Sequence, residues 1–159
     1  MVPGRHNLVV LDSKTLIVTG LSMDERDCGL LFPDDPSVPD DEVLLRRIPR
    51  WHFFHDENMG RVRPSSAAFE DDGDGDPMSV YLSGIIHSEK RTPDSVLAGH
   101  ADYALAGLSA GLVREFQQTV HPDARDDTAH AVVCGPKTDR TRRNFAKRSH
   151  WVIPPATLR

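Results

Sequence analysis

The chain has very little cysteine and no long apolar segment. Cys28 and Cys134 are the only cysteines among 159 residues, too few for a disulfide framework and without the spacing of a zinc site. The sequence therefore predicts two reduced thiols. No apolar run approaches the roughly 20 residues of a membrane-spanning helix, and residues 1–6 lead into no signal-peptide core. Together these absences predict a cytoplasmic protein.

Motifs for metals, cofactors and activated nucleophiles are also missing. The sequence has no Walker motif, no Gly-x-Gly-x-x-Gly loop, and no His-x-His or His-x-x-x-His pair. No serine has the flanking glycines of a nucleophile elbow. The acidic stretch 72–76 has Pro77 and Ser83 where a calcium loop needs glycine and glutamate. We therefore predict no metal site and no cofactor.

The net charge of −5 conceals an uneven distribution along the chain. Residues 24–42 carry eight acids against one arginine, whereas residues 137–148 carry six bases against one acid. This distribution excludes a uniformly basic nucleic-acid-binding protein, but it permits a local cationic face.

Several short segments have the composition of β-strands. Residues 8–11 and 15–18 predict a hairpin, and an acidic, proline-rich loop follows at about 21–42. A meander of three or four antiparallel strands is predicted next, with Pro49 interrupting its first strand. Its strands are expected at residues 43–45, 51–54, 61–69 and 78–82. Further strands are predicted at 129–135 and 151–153.

The residues from about 101 to 120 predict one long amphipathic helix. Leu105, Leu108, Leu112 and Phe116 recur at helical spacing. Gly107 would be costly within a helix, which indicates that something packs closely against it. A shorter basic helix is expected within 137–148. The fold class is therefore α+β: a single domain over residues 1–159, with a mainly antiparallel sheet and the long helix packed on it.

Cationic, aromatic and hydroxyl-bearing side chains are concentrated between residues 46 and 69. Planar guanidinium groups suit phosphate or carboxylate, serines add neutral donors, and histidine suits proton transfer. His130 and Lys137 are the distant residues that such a site would need. The predicted catalytic residues are His130 and His55, and the predicted ligand-binding residues are Arg46, Arg47, Arg63, Ser65, Ser66 and Lys137.

These residues indicate a small domain that binds an anionic partner, a nucleotide or RNA, with metal-independent acid–base catalysis as an additional hypothesis. Two alternatives stay open. The arginines would pair with the acidic loops in a purely structural role, or the protein would be a non-catalytic accessory module. Such a module would dock through Trp51, Phe53, Phe54 and the acidic segment. Whether the protein is an enzyme is left open.

Some segments resemble a group of small uncharacterised bacterial proteins. They are residues 45–49, with the sequence Leu-Arg-Arg-Ile-Pro, Ser-Ser-Ala-Ala-Phe at 65–69, Met-Ser-Val at 78–80, Ala-His-Ala at 129–131 and Gly-Pro-Lys-Thr at 135–138. The resemblance implies a stand-alone domain and carries no activity. A second likeness is to ADP-ribosyltransferase-type folds, in which an arginine and a serine-bearing strand hold NAD. Arg46 or Arg47 and Ser65-Ser66 match those features, but the Glu-x-Glu or Gln-x-Glu pair of that chemistry is absent.

Overall fold

The computed structural model describes residues 9–12, 15–17, 25–73 and 75–156, with side chains from Cys28 onward. The single-domain prediction for residues 1–159 therefore includes stretches outside the described residues. The strands are β1 Val9–Asp12, β2 Thr15–Ile17, β3 Val43–Ile48, β4 Phe53–Asp56, β5 Arg61–Pro64, β6 Met78–Leu82, β7 Ala104–Ser109, β8 Thr119–Pro122, β9 His130–Cys134 and β10 His150–Ile153. The helices are α1 Glu25–Leu31, α2 Ser83–Ser88, α3 Ala110–Glu115 and α4 Asp139–Arg148, and three 3-10 turns cover Arg50–His52, Ser66–Phe69 and Pro93–Leu97.

A six-stranded sheet in the order β10-β7-β3-β6-β9-β8 forms the centre of the fold, and all of its neighbouring strands are antiparallel. Strands β1 and β2 pair separately, as predicted, and so do β4 and β5. The α+β class with a mainly antiparallel sheet is confirmed. The predicted meander is wrong in its connections, because β3 pairs with β6 and β7 rather than with β4.

Apolar side chains cover both faces of this sheet. On one face, Leu44, Ile48 and Val80 pack with Phe69 and with Phe145 of α4. On the other face, a smaller cluster joins Leu45, Leu105 and Ala129 to Ile86 of α2 and Val96 of the third 3-10 turn. Burial on both faces explains why β7 is apolar throughout.

The long helix predicted for residues 101–120 is wrong. Residues 104–109 form β7, and Ser109 then caps the short α3 by accepting a hydrogen bond from the Leu112 amide at 3.1 Å. Leu105 and Leu108, placed on one helical stripe by the sequence, lie in the two different apolar clusters. A short apolar run fits a buried strand and a buried helix equally well, and here strand pairing decides.

The acidic segment is more ordered than a surface loop. Part of the predicted loop at 21–42 is α1, and residues 21–24 lie outside the described residues. The Asp35 amide donates to the Val120 carbonyl at 2.9 Å, so the segment covers the edge strand β8. Arg114 holds it by ion pairs to Asp34 at 3.1 Å and Asp40 at 2.7 Å.

The prediction of two reduced thiols is also wrong. Cys28 of α1 and Cys134 of β9 form a disulfide, and their Cα atoms lie 5.8 Å apart, within the span of such a bond. The spacing along the chain gave no sign of this pairing, because the two residues meet only when α1 packs beside the sheet. Cys134 is buried, as expected.

Candidate functional site

A pocket of about 600 Å³ lies where β3 ends and β6 begins. Its wall combines arginines, aromatic and histidine rings, and an acidic turn. The residues that matter for its chemistry are Arg47, Trp51, His52, Ser79, Tyr81 and Tyr103. The 3-10 turn Arg50–His52 follows Pro49, whose extended backbone carries the chain out of the sheet and places Trp51 over the opening. Trp51 is 67% exposed.

Arg46 is held entirely by the protein. Its Nη1 donates to Asp72 at 2.8 Å and to the Ser79 carbonyl at 2.9 Å, and its Nε donates to the Ala68 carbonyl at 3.0 Å. Burial by itself would raise the pKa of Asp72, but the charge of Arg46 and hydrogen bonds from Ser79 and Arg46 outweigh it. The pKa of Asp72 therefore lies below its ordinary value. Arg46 thus fastens the turn after residue 68 to β6.

Arg47 has a different environment. Its Nη1 lies 3.0 Å from Nε2 of His100, its Nη2 donates to the Tyr81 hydroxyl, and its guanidinium stands 4.8 Å from the centre of the Tyr81 ring. None of these partners is a carboxylate, and no acid in the described part of the chain forms an ion pair with it. The Nε atom is buried without a hydrogen-bond partner. Within the described residues, Arg47 is therefore a cation in the pocket wall without a carboxylate partner.

The acidic groups of the pocket wall have cationic partners of their own. Asp72 pairs with Arg46, Asp71 with Lys137 at 2.8 Å, and Glu70 with Arg142. Among the described residues that line the pocket, these pairs approximately cancel, and the positive charge of Arg47 is left over.

Ser79, Tyr81, His130 and Arg47 share one face of the sheet. Leu45 pairs with Tyr81, and Tyr81 pairs with His130. Since alternate residues of a strand point to the same face, Arg47 lies on the face of Leu45 and Ser79 on that of Tyr81. The Tyr81 and His130 rings meet edge to face with centroids 5.5 Å apart.

His130 links the pocket to the loop after β8. Its Nδ1 lies 2.9 Å from the Asp123 carbonyl and 3.7 Å from the Asp123 carboxylate, and its Nε2 lies 3.1 Å from the Ser79 hydroxyl. Because a carbonyl only accepts, we assign the proton of the neutral ring to Nδ1, which leaves Nε2 to accept from Ser79. Hydrogen bonds from Arg125 hold the pKa of Asp123 below its ordinary value, with the charge of Arg125 acting the same way.

Like His130, the remaining predicted site residues are not among those that line the pocket. Arg63 pairs with Asp56 and stacks on Phe54 within the β4–β5 hairpin, and His55 is exposed on that hairpin. Ser65 and Ser66 are half-buried and directly precede the pocket residue Ala67 in the chain.

Lys137 lies behind the pocket wall. Its ammonium donates to the Val133 and Gly135 carbonyls as well as to Asp71. Burial lowers its pKa, although Asp71 acts in the opposite direction. Of the predicted residues, Arg46 and Arg47 line the pocket, and Arg47 and His130 both contact Tyr81.

Sequence reasoning missed Ser79, Tyr81, His100, Tyr103 and Asp123. The alternation of residues 78–82 did place Ser79 and Tyr81 on a common strand face, but the neighbouring strands were unknown. The described residues contain no group of three or more histidine, cysteine, aspartate or glutamate side chains arranged to hold a metal ion. Within the same residues, no helix is both long and apolar enough to span a bilayer.

Comparison of the chain with models of protein families, with curated proteins and with solved structures finds no match. The resemblance to small bacterial proteins and the likeness to ADP-ribosyltransferase-type folds stay predictions. The function has to be argued from the pocket itself.

Proposed function

We propose that the protein binds a nucleotide, a small anion that carries an aromatic base, in the pocket beside Arg47. The observation that carries this proposal is the guanidinium of Arg47, which faces the pocket without a carboxylate partner in the described residues and with its Nε unsatisfied. A partly buried charge without a countercharge is costly. A phosphate bound there would supply the missing negative charge.

The aromatic rings of the pocket support the second half of the proposal. Tyr103 packs edge to face against Trp51 with centroids 6.0 Å apart, and His100 lies 4.7 Å from Tyr103. The exposed Trp51 ring and the half-buried Tyr103 ring, both in the pocket wall, offer stacking surfaces for a base. The volume of about 600 Å³ lies within the range of small-molecule sites.

The charge of the site favours a single nucleotide or a chain end over a long nucleic acid. Extended nucleic acids are held by several phosphate contacts. Here Arg46, Arg142 and Lys137 are engaged with acids. Of the two arginines that line the pocket in the described part of the chain, Arg47 is the one without a carboxylate partner.

Thermal unfolding with AMP, ADP, ATP, cyclic AMP, NAD and a short RNA tests the proposal. A ligand at 100 times its Kd adds about 2.7 kcal/mol to the free energy of unfolding, which raises the Tm of a protein of this size by roughly 5–10 °C. Arg47→Ala should abolish the shift. Arg63→Ala is the matched control, since Arg63 is similarly buried but paired with Asp56 outside the pocket. The proposal fails if no compound raises the Tm, or if Arg47→Ala responds like the wild type.

A protein-interaction module is the second candidate function. Trp51 is 67% exposed and Phe54 is 42% exposed, as anchors of a docking surface would be. Phe53, which the sequence placed in this surface, packs against the core and the Trp151 ring instead. Two results together would favour this function. The wild-type protein would show no Tm shift with any of the nucleotides, and the Trp51→Ala variant would no longer bind a protein partner that the wild type binds.

The proposed location is the cytoplasm. The Cys28–Cys134 disulfide argues against this location, because such bonds are rare in reducing compartments. Alkylation of thiols in intact cells, followed by mass spectrometry, tests whether the protein is in the cytoplasm or in an oxidising compartment. Modified Cys28 and Cys134 would support the cytoplasm, and an unmodified disulfide-linked pair would count against it.

A further inference from the structure

We infer that Ser79 is a nucleophile activated by His130, and that the pocket transfers or hydrolyses a phosphodiester of the bound nucleotide. This inference rests on the proposed function for the identity of the substrate. The activation of Ser79 rests on separate residues, and so it can be tested separately.

The hydroxyl of Ser79 and the ring of His130 have the geometry of a nucleophile and its base. Ser79 lines the pocket, and its Oγ lies 3.1 Å from Nε2 of His130. The Asp123 carbonyl orients the other ring nitrogen at 2.9 Å. The Asp123 carboxylate, 3.7 Å from Nδ1, stabilises the imidazolium that forms when the ring takes a proton. These three side chains converge from β6, β9 and the loop between β8 and β9.

The neighbouring charges indicate which electrophile the site accepts. A guanidinium beside the nucleophile stabilises the negative charge that spreads over the oxygens of a phosphoryl group in transit. Arg47 shares the sheet face of Ser79, and the Asp72 carboxylate near the Ser79 amide is paired with Arg46. One uncompensated positive charge matches the single negative charge of a phosphodiester better than the two charges of a monoester.

The reaction balances with groups that the pocket contains. Ser79 Oγ forms a bond to phosphorus while its proton passes to Nε2 of His130. The bond from phosphorus to the leaving alcohol oxygen breaks, and that oxygen takes the proton from His130. An acceptor hydroxyl or a water molecule then attacks the phosphoserine diester. His130 removes the proton of the attacking group, and Ser79 leaves with a proton returned from the ring.

A fluorophosphonate probe tests the nucleophile without any nucleotide. Ser79 should displace fluoride and form a stable adduct that mass spectrometry locates on that residue. Removal of a general base slows such a step by about 100-fold or more, so His130→Gln should lower the labelling rate by that factor. Ser79→Ala should abolish the adduct. Ser88→Ala is the control, since Ser88 is exposed and its hydroxyl bonds only locally, to the Ile85 carbonyl.

The second measurement is the release of nitrophenol from bis(p-nitrophenyl) phosphate. Wild type and Ser88→Ala should release it, whereas Ser79→Ala and His130→Gln should not. Circular dichroism and urea unfolding check that each variant is folded. If His130→Gln does not fold, His130→Asn replaces it in both measurements. The inference is overturned if folded wild-type protein forms no adduct at Ser79, if His130→Gln labels at the wild-type rate, or if the phosphodiester is not cleaved.

The two proposals fail in different ways. If the probe labels Ser79 but no nucleotide raises the Tm, Ser79 is a nucleophile, and the proposal that its substrate is a nucleotide is wrong. A nucleotide-dependent rise that Arg47→Ala abolishes, with no adduct on Ser79, would leave a binding protein without this chemistry.

Discussion

Arg46 and Arg47 are adjacent in β3, yet only Arg46 has a carboxylate partner in the described structure. Arg46 lies on the face of Leu44 and Ile48 and donates to Asp72 at 2.8 Å. Arg47 lies on the opposite face and has His100 and Tyr81 as its partners. The two side chains therefore have different environments: Arg46 joins parts of the fold through Asp72, and Arg47 is the arginine to which we assign ligand binding.

Replacing Arg46 should lower the stability of the protein much more than replacing Arg47. Arg46→Ala leaves Asp72 and the Ser79 carbonyl without their partner, so we expect a loss of about 3 kcal/mol in the free energy of unfolding. Arg47→Ala removes a cation that has no countercharge, so the loss should stay below about 1 kcal/mol. Urea unfolding of both variants measures the difference. Equal losses would contradict the division of roles.

Acid should weaken the contact between Asp72 and Arg46. The folded-state pKa of Asp72 lies below its ordinary value of 3.8, so the ionised carboxylate stabilises the fold above that pH. The stabilisation decreases as pH falls below 3.8 and is lost once pH passes through the folded-state pKa. Urea unfolding of wild type and Asp72→Asn at pH 7, 4 and 3 should therefore show a difference in stability that narrows with acid. A constant difference would show that the charge of Asp72 is not what stabilises the turn.

The disulfide should contribute substantially to stability. It closes a loop with a sequence separation of 106 residues, and bonds of this kind typically add about 2–4 kcal/mol. Reduction of the wild type should lower the urea midpoint, and Cys28→Ser should do the same. The reductant should then have no further effect on Cys28→Ser, which is the internal control. A wild type whose midpoint is unchanged by a reductant that breaks the bond would refute the prediction.

Gly107 distinguishes the strand from the helix that the sequence predicts. In a helix, Gly107→Ala would add about 1 kcal/mol of stability. In β7, a Cβ atom at this position would lie 2.6 Å from the His150 ring and 2.9 Å from a methyl group of Val43, so the same substitution should destabilise the protein.

Gly29→Ala is the matched control for this substitution. Gly29 lies in α1, and an added Cβ would meet nothing within 4 Å. It should therefore gain up to about 1 kcal/mol from helix propensity. Thermal unfolding of both variants measures the two effects. A gain in Tm for Gly107→Ala would mean that β7 is placed wrongly.

Much of the fold could be predicted because its signals are local. Met78, Val80 and Leu82 alternate with less buried residues, and β6 follows that pattern. The short basic helix expected within residues 137–148 is α4, which begins at Asp139. Its N-cap, the Thr138 hydroxyl that accepts from the Thr141 amide, was not predicted. The close packing inferred at Gly107 is also confirmed, although the element around it is a strand. Local patterns failed at residues 104–109, where burial on both faces removes the polar alternation of an ordinary strand.

The sequence alone determined which chemical groups the protein has, among them the arginines and histidines that could bind an anion. It also showed that the known phosphate-binding and metal-binding motifs are absent. Tertiary structure decided which of these groups meet. Strand β6 lies between β3 and β9, so Ser79 and Tyr81 stand between Arg47 and His130. The same packing joined Cys28 to Cys134 and gave Arg46, but not Arg47, a carboxylate partner. These outcomes depend on strand order and register, which arise from contacts between distant residues and leave no local pattern in the chain.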